Sequence, residues 1–198
     1  LFRGSKIESI ELGRFPSSIK SFSNIAIECT NLKTIDFTGI NPNTTTLSGA
    51  FSMCQNVTSI IGANTINFND GVDLLHMFWA TLTNIEEIDL SGITCKIKGV
   101  PSFNNTGNKL KTIKIAWDWS DITGDLPDYM FADFNSLENV EWGINLKSNF
   151  DRYTMLDRHN KLTVQSLLNL FNALYDFASE GNTDTHTCII GATNLAKL

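Results

Sequence analysis

A phrase of the form apolar-x-x-apolar-x-apolar returns six times along the 198 residues of this chain. Five copies are Ile7-Glu8-Ser9-Ile10-Glu11-Leu12, Leu32-Lys33-Thr34-Ile35-Asp36-Phe37, Ile85-Glu86-Glu87-Ile88-Asp89-Leu90, Leu110-Lys111-Thr112-Ile113-Lys114-Ile115 and Leu137-Glu138-Asn139-Val140-Glu141-Trp142. The third copy, Val57-Thr58-Ser59-Ile60-Ile61-Gly62, loses the alternation at its end. The anchors Ile7, Leu32, Val57, Ile85, Leu110 and Leu137 are separated by 25, 25, 28, 25 and 27 residues. Each copy supplies one strand and a return segment, too little to bury its own apolar face, so the copies must stack. Side chains alternate across a strand, which turns Ile35 and Phe37 inward and Thr34 and Asp36 outward.

A period in the twenties with this phrasing is the signature of a leucine-rich repeat. The expected fold is therefore an α/β repeat, a leucine-rich repeat solenoid. Short parallel strands line its concave side and short helices or loops its convex side, with a helix–strand cap at the C-terminal end. Repeats are expected over 1–145, about six copies with the first truncated, and a capping repeat over 146–198. Before the strands come segments carrying Phe or Met: Phe22 to Ile27, Ala50 to Met53, Met77 to Ala80 and Met130 to Asp133. These are expected to be helices of one or two turns, with their rings filling the space under the strands. Pro101 limits the corresponding segment of copy five. Thr163 is the expected N-cap of a helix over 164–178, with Val164, Leu167, Leu168, Phe171, Leu174 and Phe177 on one face. Gly181 sits where a terminating glycine belongs, and a last strand is expected over 185–190. The chain opens in mid-repeat without an initiating Met, so it is expected to be a fragment or processed piece.

Composition narrows the function. With 42% hydrophobic residues the chain has material for a core, and 18% charged residues give no case for disorder. A formal charge of −6 disfavours nucleic acid as the main partner. No apolar run reaches the roughly 18 residues needed to span a bilayer, so no direct membrane insertion is expected of this fragment. Cys29 and Cys54 each lie three residues before an anchor and share one slot in consecutive repeats. They read as small buried hydrophobes. All four cysteines are expected to be reduced, in preference to a disulfide or zinc site.

Two passages carry a family resemblance. Met77-Phe78-Trp79-Ala80 leading into Asn84-Ile85-Glu86-Glu87-Ile88-Asp89-Leu90-Ser91-Gly92 is one, and Ala50-Phe51-Ser52-Met53-Cys54-Gln55-Asn56-Val57-Thr58-Ser59-Ile60 is the other. They resemble the BspA-like leucine-rich repeats of bacterial surface proteins, and the tail from Leu162 to Leu198 looks like the segment that often follows such repeats. The resemblance covers about Ile7 to Leu198 and implies attachment to host proteins or other cells. It transfers no binding residues.

The outward strand positions form two expected columns. One is Ser9, Thr34, Ser59, Glu87, Thr112 and Asn139; the other is Glu11, Asp36, Ile61, Asp89, Lys114 and Glu141. Stacking sets successive members roughly 5 Å apart. The second column is then a concave acidic stripe suited to a basic or polar protein ligand, or is simply solvated. Trp117 and Trp119, with Tyr129 downstream, could form a sugar-stacking platform; the competing reading packs Trp117 inward and lays Trp119 over a loop. Asn67 to Asp73 has oxygen ligands but lacks the distal Glu of a calcium loop, and Asp118, Asp121 and Asp125 are no stronger, so no metal is expected. His76, His159 and His186 are scattered and nominate no catalytic residue. No glycine loop cradles a phosphate, and no cofactor is expected. Asn43, Asn56 and Asn104 head glycosylation sequons.

The chain is thus expected to be a non-enzymatic, surface-exposed recognition module. Its partner would be a protein or glycan on a host or neighbouring cell. The alternatives are a phage tail or virion domain for receptor binding or structure, and an accessory domain of a larger secreted hydrolase.

Overall fold

The computed structural model describes residues 1–99, 101, 103, 109–122, 136–146, 161–173 and 196–198. The recurring phrase becomes parallel strands. β1 (Ser9–Glu11), β2 (Thr34–Asp36) and β3 (Ser59–Ile61) form one sheet in that order. Ile10 lies beside Ile35, and Ile35 beside Ile60. Of the five strands that follow, β4 (Val72–Asp73) pairs with β6 (Ile97–Gly99) away from these rungs. β5 (Glu87–Leu90), β7 (Thr112–Asp118) and β8 (Asn139–Ile144) form a second set of rungs, with Ile88 beside Ile113 and Ile113 beside Val140. Among the described residues the result is a β-solenoid of about five turns with one C-terminal helix, α1 (Val164–Ala173).

Burial follows the phrase. Leu32, Ile35, Val57, Leu110 and Ile113 are fully buried, and Ile10, Ile88 and Val140 nearly so. Phe37 reaches across the coil to Phe51 and Phe78, with ring centroids 5.8 and 6.4 Å away, and Phe51 stacks on Phe78 at 5.9 Å. The aromatic residues therefore fill the space beneath the strands, as the sequence suggests.

The segments that carry them are not helices. Residues 23–28, 48–53 and 75–80 are chains of tight turns whose amides bond to the next coil. Asn24 N donates to Ser48 O at 2.9 Å and Gly49 N to Leu75 O at 2.8 Å; Glu28 N donates to Ser52 O and Met53 N to Trp79 O. A helix would send such amides four residues back along its own chain. Left-handed residues prevent that. Asn24, Gly49 and His76 form one column with φ between +52° and +63°, and Glu28, Met53 and Ala80 form another four residues on. Each non-glycine there costs on the order of 1–2 kcal/mol, offset by amides that remain paired between coils. The expected turn at Met130 to Asp133 lies outside the described residues.

The same hydrogen bonds reveal a second ladder, which the sequence does not announce. Ser21 bridges Thr46 and Thr46 bridges Asp73, and the β4–β6 pairing carries the ladder onward. This matters at one place. β3 and β5 are not hydrogen-bonded neighbours, so the strand face is split where the anchors are 28 residues apart. That long copy contains a 3-10 turn at Leu82–Asn84. The second ladder spans the split and keeps the coils stacked.

Cys29 and Cys54 do share a slot, and Thr81 occupies it in the following coil. Cys29 Sγ donates to Phe2 O at 2.9 Å, Cys54 Sγ to Ala26 O at 3.0 Å, and Thr81 Oγ1 to Phe51 O. The slot therefore calls for a small buried donor that ties each coil to the one before, a polar role that a purely hydrophobic reading misses. Cys29, Cys54 and Cys95 are free thiols, and Cys188 lies outside the described residues. Burial pushes the Cys54 thiol up to about 12 and, with help from the nearby Asp70 charge, that of Cys95 to about 11.

Helix α1 begins as expected: Ser166 N donates to Thr163 Oγ1 at 3.2 Å. Its buried face differs from expectation. Ser166, Leu167, Leu170 and Ala173 are buried, whereas Val164, Leu168 and Phe171 are 40–44% exposed. The reason is Ser166, whose hydroxyl accepts from Val140 N and donates to Glu138 O, both at 2.9 Å. That double bond to the chain of β8 fixes which side of the helix meets the sheet. The remainder of the expected helix, Gly181 and the expected strand over 185–190 fall outside the described residues.

Candidate recognition face

The outward residues stand in the columns read from the sequence, in two blocks. Glu11 is beside Asp36 and Asp36 beside Ile61; Asp89 is beside Lys114 and Lys114 beside Glu141. The first column is likewise Ser9–Thr34–Ser59 and Glu87–Thr112–Asn139. Between Ile61 and Asp89 falls the split, so the stripe is two three-residue segments and not one continuous run. Glu11, Ile61 and Glu141 are exposed, and Asp36, Asp89 and Lys114 half-buried.

The carboxylates are not equivalent. Asp36 Oδ1 accepts from Thr38 N at 2.7 Å, and Asp89 Oδ1 accepts from Ser91 N at 3.0 Å and Ser91 Oγ at 2.6 Å. Each closes an Asx turn that takes the chain off its strand. Asp73 and Asp118 do the same for Leu75 and Ser120. Burial raises the Asp118 carboxyl, but hydrogen bonds from Ser120 and Asn145 and the Lys96 charge outweigh it and leave the group below its usual range. Lys114 Nζ lies 2.7 Å from Glu87 and 3.9 Å from Asp89. The hydrogen bond and charge of Glu87, assisted by Asp89 and Glu141, hold the ammonium in its protonated form. Glu11 pairs with Arg14 of the following turn. Among the described residues, Glu141 accepts no hydrogen bond through its side chain.

No aromatic platform forms from the two tryptophans. Trp117 is fully buried and Trp119 is 1% exposed, with centroids 5.5 Å apart and Trp117 parallel to Phe103. Trp119 Nε1 donates to Trp142 O, which ties the ring to β8. Strand β7 runs on from Ile115 to Asp118, so alternation carries Trp117 inward. Tyr129 lies outside the described residues. Trp142 is in the core and Trp79 is 37% exposed on the turn side.

The oxygen-rich loop is engaged locally. Asp70 accepts from Lys96 N, and Asp121 pairs with Lys96 Nζ at 3.6 Å. Among the described residues no three His, Cys, Asp or Glu side chains converge as metal ligands, and no helix is long and apolar enough to cross a membrane.

One feature of the face was not foreseen. A cleft of about 350 Å³ opens where β5, β7 and β8 meet α1. Glu87, Lys114, Asn139 and Glu141 line it from the strands, and Gln165 and Asn169 from the helix. The strand residues were legible as columns, but the helix residues were not, because only the Ser166 contact decides which side of α1 turns to the sheet. Comparison with known proteins found no matching family model, no matching curated protein and no matching solved structure.

Proposed function

We propose that this chain is a leucine-rich repeat recognition module, related to the BspA-like surface proteins, that binds through its strand face and performs no catalysis. The observation that carries the reading is the lateral register of the outward columns, which sets Glu11, Asp36 and Ile61 side by side with an exposed apolar residue at the margin. A rigid array of chemically distinct side chains at strand spacing is a surface for recognition, since neighbouring coils hold each member in place. The partner is a protein or glycan displayed on a host or neighbouring cell, and the site of action is extracellular or at a cell surface. Helix α1 serves as the end cap: Ser166 and Thr163 meet β8 and shield the last coil from solvent.

The test is to pan a random peptide display library on the immobilised chain. Enriched peptides should be basic, and their footprint by hydrogen exchange should fall on β1 to β3. Glu11→Lys should weaken them about fivefold, since a rim charge of this kind contributes roughly 1 kcal/mol. Peptides that protect only the turn side, or bind Glu11→Lys equally well, would overturn the proposal.

A further inference from the structure

The cleft between the second strand block and α1 assigns a more specific ligand class. We infer that it is a binding site for a neutral, polyhydroxylated ligand, namely one sugar residue of a glycan, an inference that rests on the recognition reading above and deepens it.

Size is the first consideration. About 350 Å³ lies at the low end of the roughly 300–1,000 Å³ typical of small-ligand sites. That admits a single ring and excludes a folded peptide segment. The chemistry of the walls is the second. Each sugar hydroxyl both donates and accepts, and the cleft offers both functions at close quarters. Glu141 and Gln165 Oε1 are acceptors, Asn139 Nδ2 and Lys114 Nζ are donors, and Thr112 offers a hydroxyl.

These groups are also held in place, which lowers the cost of binding. Thr163 Oγ1 donates to Asn139 Oδ1 at 3.1 Å and fixes the amide, whose NH₂ group has no acceptor among the described residues. Gln165 Nε2 donates to Asn169 Oδ1 at 2.9 Å, and Gln165 Oε1 has no donor among the described residues. Lys114 is paired with Glu87 at 2.7 Å, which orients its ammonium. Charge then selects against other ligands. Glu87, Asp89 and Glu141 outnumber Lys114 around the cleft and repel anions. A simple cation would have to compete with Lys114 for Glu87. The two aliphatic residues of the lining, Ile113 and Val140, are buried, so an apolar ligand finds little wall. A neutral ring bearing several hydroxyls satisfies all of these conditions.

The experiment is a saturation-transfer and amide-shift NMR titration of the full chain. The probes are the methyl glycosides of glucose, galactose, mannose and N-acetylglucosamine, with methyl glucuronide as the anionic comparison. At least one neutral sugar should bind weakly, with shifts centred on Asn139, Glu141 and Gln165. Glu141→Ala and Asn139→Ala should each weaken it about tenfold, the loss expected when a hydrogen bond of this kind is removed. Both side chains are exposed, so an unchanged amide spectrum elsewhere will show that the variants fold. If no neutral sugar shifts these residues, if glucuronide binds better, or if binding survives Glu141→Ala unchanged, the assignment is overturned. The peptide measurement on Glu11 reads the other strand block, so its outcome stands or falls separately.

Discussion

Gly92 follows strand β5 at a place where two coils nearly touch. A Cβ built on it would lie 2.4 Å from the carbonyl carbon of Asn64, 2.5 Å from its oxygen and 2.8 Å from Ile66 N. All three are backbone atoms, so no side chain can swing aside. Relief requires the coils to part by about 1 Å, against the packing of Ile93 and Ile66 beneath. Forcing extra volume into such a contact costs about 1–3 kcal/mol. Gly92 does not have positive φ, so alanine adopts the backbone freely, and the change stiffens the unfolded chain by about 0.4–1 kcal/mol in favour of folding. The net expectation for Gly92→Ala is a loss of about 1–2 kcal/mol. At roughly 2–4 °C per kcal/mol for a chain of this size, the melting temperature falls by about 2–8 °C. Differential scanning calorimetry reads this directly. Thr94→Ala, two residues away and exposed, should lie within about 0.5 kcal/mol of the parent. A melting temperature for Gly92→Ala equal to or above the parent would mean that only the chain-entropy effect operates, and the close stacking of coils described here would be wrong.

Two further predictions follow from the hydrogen-bond columns. Cys54→Thr should be tolerated, because Thr81 already fills the equivalent slot, whereas Cys54→Val removes the donor to Ala26 O and should cost about 1 kcal/mol in urea unfolding. The thiol that makes this bond has its folded pKa raised above the ordinary value of 9.0, to about 12. Its contribution is therefore complete below pH 9 and is lost as pH climbs from about 9 toward 12, a decline that Cys54→Thr should lessen. Asp36→Ala and Asp89→Ala should each lower stability by about 1 kcal/mol by opening an Asx turn, while Asp36→Asn and Asp89→Asn, which keep the acceptor, should lie within about 0.5 kcal/mol of the parent in the same assay. Equal losses for Ala and Asn would show that charge, not turn closure, is what these residues supply.

The strand register could be read from the sequence because each inward residue is apolar and recurs at nearly constant spacing; a slip of one residue would turn Ile35 out and Asp36 in. The split between β3 and β5 left a trace as well, in the 28-residue interval and in the lost alternation at Ile60-Ile61. The turn side was not legible. Its conformation depends on left-handed backbone at Glu28, Met53 and Ala80, residue types that carry no local preference for it. Only Asn24, Gly49 and His76 in the same columns hint at it. The side-by-side order within each half of the acidic stripe was legible, but its members could not be told apart, because the turn-closing role of Asp36 depends on where Thr38 N points. Likewise Cys29 and Cys54 looked like small hydrophobes; Thr81, three residues after Phe78, was the sign that the slot wants a donor.

The central claim is that the inward residues of successive coils lie rung over rung in two blocks. Methyl–methyl NOE spectroscopy on a sample labelled at isoleucine and valine tests it most directly. The account predicts contacts of Ile35 with both Ile10 and Ile60, and of Ile113 with both Ile88 and Val140. Contacts of Ile35 or Ile113 confined to residues of their own coil would contradict it.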